Sequence, residues 1–348
     1  PFFNSFRVPS MIIILSNFCL YILCAYGVKD VIEIFKNKFK DFKPELIIFT
    51  FLIVSLIDIY RIDNRIINPD EDSGQQNQIT SINNFESVFE QDETISYLKD
   101  NLGLNRIYPA GSLFTDPKFK YHGIESVGGY HPAKFGHYSK LLKNSNNLLS
   151  IPVLQFLNVK YIISSVEITH SKLILEKETI FQSVNGMKNV YIYHLDLSNP
   201  RAWFVRDVIK EDQNLYNYLN ASAFNPLKTA VVDNLENSRY SVGKILNIDW
   251  DTEKIIIDYE AQEKGILVLS EIYYPERWKA YIDNEEVEVL KANGVLRAVE
   301  IEAGANKIIF KYDNSLFKIL HKISNLVVLF ICIYLLRPKV MGLLKNLR

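Results

Sequence analysis

The chain has 348 residues, 48% of them hydrophobic, and a formal net charge of −1 from 39 basic and 40 acidic side chains. That length accommodates one to three domains, and the balanced charge excludes nucleic acid as an expected partner. The cysteines, Cys19, Cys24 and Cys332, all lie in apolar stretches. The polar middle of the chain must therefore be held by its core rather than by disulfides.

The sequence begins at Pro1, and its first methionine, Met11, falls inside an apolar run, so it reads as a piece of a longer protein. Residues 8–28 (VPSMIIILSNFCLYILCAYGV) carry no charge and match the ~20 residues needed to cross a bilayer. Residues 46–57 form a second uninterrupted apolar run, which spans if Asp58, Ile59 and Tyr60 lie at the interface. A third run, residues 323–336, extends back to Leu316 if Lys318 and Lys322 snorkel to the surface. Charge placement makes the three agree. Residues 29–45 carry Lys29, Lys36, Lys38, Lys40 and Lys43, and the tail carries Arg337, Lys339, Lys345 and Arg348. Short basic loops stay cytoplasmic. Residues 1–60 are thus expected to form two transmembrane helices with a cytoplasmic loop, and residues 316–348 a third helix with a cytoplasmic tail. The large middle region then faces outward from a bacterial cytoplasmic membrane. A signal peptide over residues 8–27 is the competing reading; it leaves the lysines and two later apolar runs unexplained.

Between the membrane segments, residues 61–90 read as a polar linker containing Pro69 and Gly74. Residues 91–235 read as mixed α/β. Helical spacing over residues 87–102 puts Ile95, Leu98 and Leu102 on one face. Strands are expected at 107–108, toward the end of 154–164, at 190–195 and at 202–208. Residues 111–140 read as a loop rich in aromatic rings. Residues 236–315 then show seven strand-like runs separated by turn residues such as Asp283-Asn284 and Asn293-Gly294, the pattern of an antiparallel β-sandwich. The expected class is α+β, with transmembrane helices flanking an exported region made of these two parts.

Several residues have chemistry that suits a membrane-surface function. Arg7 and Arg61 lie at the outer ends of the first two apolar segments, where a guanidinium can hold a lipid phosphate by two parallel hydrogen bonds. A simple interfacial anchor, or for Arg61 a helix-end pair with Asp58, is the plainer account of them. The loop interleaves Tyr121, His122, Tyr130, His131, Phe135, His137 and Tyr138 with Lys118, Lys120, Lys134 and Lys140. Aromatic faces stack on the apolar faces of sugars and lysines attract phosphate, so Tyr121, His122, Tyr130, His131 and His137 are candidates for contact with an acceptor. A packed connector with solvated lysines is the plainer alternative. The histidines, with Asp116 and Glu125, match no metal-ligand spacing, and no metal site is assigned. Tyr273, Tyr274, Trp278 and Tyr281 could form a carbohydrate platform. Alternation of Trp278 with Ala280 and Ile282 instead places those three side chains in the core.

Taken in order, the stretches FFNSFRVPSM, GIESVGGYHP, FLNVKYIIS, NPRAWFV, GILVLSEIYYPERWKAYID and NGVLRAVEIEAGANKIIFKYD resemble the C-terminal half of YfhO-family bacterial membrane proteins. The resemblance implies a multi-pass glycosyltransferase that moves a sugar from a polyprenyl-phosphate donor to a cell-envelope glycopolymer on the outer face; members have been linked to teichoic acid glycosylation. It places the catalytic carboxylate in an early exterior loop, upstream of Pro1, so no residue here is matched to it. No cofactor motif is evident in these residues, and any divalent metal would belong to the upstream part. The alternative is a non-catalytic anchored envelope protein whose exterior sandwich binds glycan or a protein partner.

Overall fold

The computed structural model describes residues 13–39, 43–67, 82–131, 134–183, 186–304 and 306–346. Arg7 and the start of the first apolar segment lie outside them. The chain divides into two units, residues 1–86 and 87–348.

The first unit is a pair of helices, α1 (Ile13–Lys38) and α2 (Pro44–Ile67). Most of the expected basic loop at 29–45 is helical, because Val31, Ile34 and Phe35 keep the spacing of α1 and carry Lys36 and Lys38 into its last turn. The two helices flank an apolar cleft of about 260 Å³ lined by Val31, Phe35, Leu46, Phe51 and Val54. α2 carries Glu45, Asp58, Arg61 and Asp63 along its length. Helix α3 (Ile82–Phe89) runs across the division between the units.

The second unit opens with α4 (Glu93–Asn101), whose N-terminus is capped by Asp92 accepting from Ile95 N at 2.9 Å. That cap separates α4 from α3, where the spacing alone suggested one helix. Ile95 and Leu98 are fully buried as expected. Strand β1 (Arg106–Pro109) leads into a long crossover containing α5 (Lys118–Tyr121), α6 (Gly136–Asn144) and α7 (Ile151–Phe156). The crossover returns as β2 (Val159–Ser164), parallel to β1. The hairpin of β3 (Leu173–Ser183) and β4 (Gly186–Leu195) completes a four-stranded sheet in the order β1-β2-β4-β3.

A seven-stranded sheet follows. Its members are β5 (Ala202–Val205), β6 (Asp207–Lys210), β7 (Thr229–Val232), β8 (Ser238–Arg239), β11 (Gly265–Ile272), β14 (Leu290–Ala292) and β15 (Leu296–Ile301), with α8 (Leu215–Asn220) crossing between the parallel strands β6 and β7. The order is β5-β11-β15-β14-β7-β6-β8. The sheet thus draws strands from both sides of residue 235, where the sequence suggested a boundary. A five-stranded sheet, β13-β12-β16-β10-β9, is built from β9 (Lys244–Trp250), β10 (Lys254–Glu260), β12 (Trp278–Ile282), β13 (Glu285–Val287) and β16 (Lys307–Tyr312). Leu267, Leu269, Val299 and Ile301 of the larger sheet share one buried cluster with Ile255, Ile257, Tyr259, Ile308 and Phe310 of the smaller. Asp283-Asn284 and Asn293-Gly294 turn between their strands with positive φ at every position, 50° and 71°, then 48° and 72°, as tight hairpin turns require.

Strand β16 passes into α9 (Ser315–Asn346) through Asp313 and Asn314 alone. Among the described residues one stretch, Ser315–Tyr334, is long and apolar enough to cross a membrane by length and composition, and none of it is buried. That stretch coincides with the third of the three expected crossings, while α2 carries charges on either side of its apolar run.

Candidate functional site

Parallel strands cannot be joined by a tight turn, so the connection from β1 to β2 is long. It builds a cavity of about 560 Å³. Residues 124–127 run back alongside β1, with Ile107 N donating to Glu125 O at 2.9 Å and Val127 N to Ile107 O at 3.1 Å. Gly128 and Gly129 then fold under Phe114. A Cβ on Gly128 would stand 2.4 Å from the Phe114 carbonyl oxygen, and Gly129 holds φ at +115°, a backbone reserved for glycine. Gly129 N donates to that same carbonyl.

The cavity is apolar where Phe114, Val127, Tyr138 and Leu142 line it, and polar where Asp116, Lys120, His131 and Lys134 do. Tyr130 and Phe135, 69% and 45% exposed, form part of its wall. Tyr138 donates its hydroxyl to Val127 O. Burial pushes that phenol well above its ordinary pKa, against the pull of Arg106, so it serves as a neutral donor.

Of the five aromatic and histidine residues singled out in the sequence, Tyr130 and His131 line the cavity. Tyr121 stands apart, its ring 4.8 Å from Phe89, while His122 Nε2 is hydrogen-bonded to Phe89 O at 2.8 Å. His137 begins α6 with its ring 6.2 Å from Tyr273. Arg61 sits on α2 in the other unit. Lys118, expected in solvent, is fully buried: its Nζ lies 2.7 Å from Asp92 Oδ2 and 3.2 Å from Gln182 O. Asp116 is likewise committed, accepting from Ser183 Oγ at 2.6 Å and Lys118 N at 3.0 Å. Among the described residues no group of three or more His, Cys, Asp or Glu side chains is placed to hold a metal ion.

Behind the cavity lies a buried ionic node. Arg106 reaches Glu125 at 3.2 Å and Glu271 at 3.0 Å. Arg201, with 3% of its side chain exposed, reaches Glu125 at 2.9 Å and is also bonded to Glu271. Arg297 lies over the Trp278 ring, 4.2 Å from its centroid, and donates Nε to Ile272 O at 2.9 Å. Burial works to raise the Glu271 pKa, but Arg106, Arg201 and Arg297 together outweigh it and hold the carboxyl below its ordinary range. Burial takes the Arg297 guanidinium down to about 10, opposed by Glu271 and aided by the two neighbouring arginines; it remains cationic at neutral pH. Arg201 Nε and Arg297 Nη1 are buried without a hydrogen-bond partner.

Asn158 completes the node. Its φ of 61° favours asparagine, and its amide donates to Asn105 Oδ1 at 2.8 Å and to Asn199 O. Five of the six stretches that carried the family resemblance therefore meet here, through Glu125, Asn158, Arg201, Glu271 with Trp278, and Arg297. A small void of about 150 Å³, lined by Arg106, Ser126, Gly128 and Tyr138, lies beside the node and shares its wall with the cavity. Sequence reading noted Glu125 but missed the arginines. The available signal was a charge inside strand-like apolar runs, Arg201 before AWFV and Arg297 within VLRAV. Trp278 is no open carbohydrate platform: Arg297 covers one face and Tyr312 packs at 5.6 Å.

Residues 235–324 match the family model described as bacterial membrane protein YfhO. No curated protein matches the chain. Among solved structures, a likeness is found to the single-particle cryo-EM structure of the arabinofuranosyltransferase AftD from mycobacteria. It shows 13% identity over 44% of this chain, with a TM-score of 0.18. The likeness spans 12% of the AftD chain.

Proposed function

We propose, from the match of residues 235–324 to the family model described as bacterial membrane protein YfhO, that the chain is the C-terminal part of a membrane glycosyltransferase whose exterior cavity receives the acceptor glycan. The observation that carries this reading is the wall of the 560 Å³ cavity, where the exposed rings of Tyr130 and Phe135 stand beside Lys120, His131 and Lys134. Rings of this kind stack on the apolar face of a hexose, and the cations draw phosphate or carboxylate groups of an envelope polymer. The donor in this reading is a polyprenyl-phosphate sugar on the outer leaflet, with the multi-pass, outward-facing arrangement expected from the lysine-rich ends. Arg61 and Arg7 remain the candidates for its phosphate. The buried node fixes Glu125, and with it the glycine pair that shapes the cavity.

The test is binding of purified envelope glycopolymer to the full chain in detergent, with Tyr130→Ala and Phe135→Ala as variants. Each truncation is expected to weaken binding by about 1–2 kcal/mol, roughly tenfold, while leaving the fold intact. Unchanged binding in both variants would remove the acceptor role. Binding lost without any change of sugar transfer in cells would favour an anchored glycan-binding protein instead.

A further inference from the structure

A short chain of contacts ties the start of the apolar helix to the wall of the cavity. At the joint between β16 and α9, Asp313 N donates to Arg277 O at 2.6 Å and Arg277 Nη1 reaches back to Asp313 O at 3.4 Å. Tyr312 N donates to Glu253 O at 2.9 Å, Asn314 Nδ2 to Glu253 Oε1 at 3.3 Å, and Ser315 N to Asp313 Oδ1 at 2.9 Å. The joint is therefore pinned on both sides rather than hinged. Arg277 in turn closes the turn that begins at Tyr274, its N donating to Tyr274 O at 3.2 Å. The Tyr274 ring lies 5.1 Å from Phe135. Three residue-to-residue contacts, Asp313–Arg277, Arg277–Tyr274 and Tyr274–Phe135, thus link the α9 joint to the 134–137 segment, all four residues of which are exposed. The first turn of α9 presents Leu316 and Phe317, the latter 69% exposed, at the same end of the sheet.

We propose that Tyr130, Lys134, Phe135 and His137 rest on the headgroup layer of an anionic membrane, so that the cavity opens at the lipid surface. Tyrosine and other amphipathic rings settle at that depth, and lysine and arginine side chains beside a membrane helix are drawn to anionic headgroups. Phe135 and Tyr130 supply the rings, and Lys134 supplies the cation. The acidic groups at this end are mostly engaged: Asp313 and Glu253 hold the joint, leaving Glu276 as an exposed carboxylate in the turn. This placement rests on α9 as a membrane helix and deepens the acceptor-cavity reading. A polymer held in the cavity would then lie within reach of a sugar carried on a lipid phosphate.

The experiment uses the full chain in lipid nanodiscs, with Cys19, Cys24 and Cys332 replaced by serine and a nitroxide attached through Phe135→Cys or, at the far end of the five-stranded sheet, Glu285→Cys. Strand β12 runs from Trp278, opposite Tyr312, to Ile282, so Glu285 lies at the end away from the joint. Collision with oxygen, which concentrates in lipid, is compared with collision with a water-soluble nickel chelate. The expected result is an oxygen-to-nickel ratio several-fold higher at 135 than at 285 in phosphatidylglycerol discs, falling when Lys134→Glu is added. A label at Lys134→Cys gives a second reading of the same segment, and thermal melts report folding in each variant. Equal ratios at 135 and 285 would overturn the placement. So would a label at 135 that responds to soluble anionic glycan but not to lipid. Glycopolymer binding in detergent is read without a bilayer, so the acceptor reading can fail or stand independently.

Discussion

Replacing Glu271 by glutamine tests whether the ionic node holds the second unit together. Glu271 Oε1 accepts from Arg106 Nη2 at 3.0 Å and from Arg201 Nη2, and its charge also faces Arg297. Glutamine keeps the shape but leaves Glu125 as the one carboxylate paired with Arg106 and the buried Arg201, and removes the charge that faces the buried Arg297. Charge-assisted hydrogen bonds contribute about 1.5–3 kcal/mol each, and stripping one partner from a buried ion pair costs about 3–5 kcal/mol. Since the retained amide oxygen still accepts one neutral bond, about 3–5 kcal/mol is the expected loss. For a unit of this size that lowers the melting temperature by roughly 10 °C. Glu125→Gln, at a carboxylate twice as exposed, should lose less. The assay is intrinsic-fluorescence melting of the full chain in detergent. The pH dependence has a defined sign. A carboxyl whose folded pKa lies below its unfolded value stabilises above the ordinary carboxylate range, and that stability is lost as pH falls through the folded value. The gap between wild type and Glu271→Gln should therefore be full at neutral pH and shrink below about pH 4. A melting temperature within about 2 °C of wild type at pH 7 would refute the reasoning, because surface substitutions alone produce shifts of that size.

Two further outcomes follow from the same geometry. Gly128→Val should destabilise by about 1–3 kcal/mol through overpacking against the Phe114 carbonyl, and it should weaken glycopolymer binding by narrowing the cavity; thermal melts and binding isotherms read the two effects separately. Lys118→Ala should cost about 3–5 kcal/mol, because it removes a fully buried ammonium and leaves the Asp92 charge with only the neutral donors Ile95 N and Gln182 N; denaturant unfolding checks it, and a loss below about 1 kcal/mol would refute the buried-pair reading.

Much of the last third of the fold was legible because alternation and turn chemistry act locally. Asp283-Asn284 and Asn293-Gly294 adopt positive φ without help from distant residues, so strands on either side fall close to where the pattern puts them. Strand β3 was not legible. It is an edge strand, with Glu176, Lys177 and Glu178 in its middle and about half its residues in solvent, so its only strong instruction is its pairing with β4. Helix α6 was hidden for a related reason: of its nine residues only Leu141 is buried, too few to show a period. At the site, composition found the loop but not which side chains are available. Lys118 and Lys120 look alike in sequence, yet one is sealed beneath Phe181 and the other lines the cavity. The node was harder still, since Arg106, Arg201, Glu271 and Arg297 come from four segments up to 191 positions apart by number (297 − 106).

Strand β16 lies between β12 and β10, near the middle of its sheet rather than at an edge. Both neighbours are synthesised earlier and wait with a full row of backbone donors and acceptors unpaired until residues 307–312 arrive. Those residues precede the apolar helix almost directly, so the sheet closes only as that helix is about to be made. Closure of the five-stranded sheet is thereby coupled to synthesis of the segment that leads into α9, and a chain stalled before residue 307 would present two open strand edges to aggregation or to quality control.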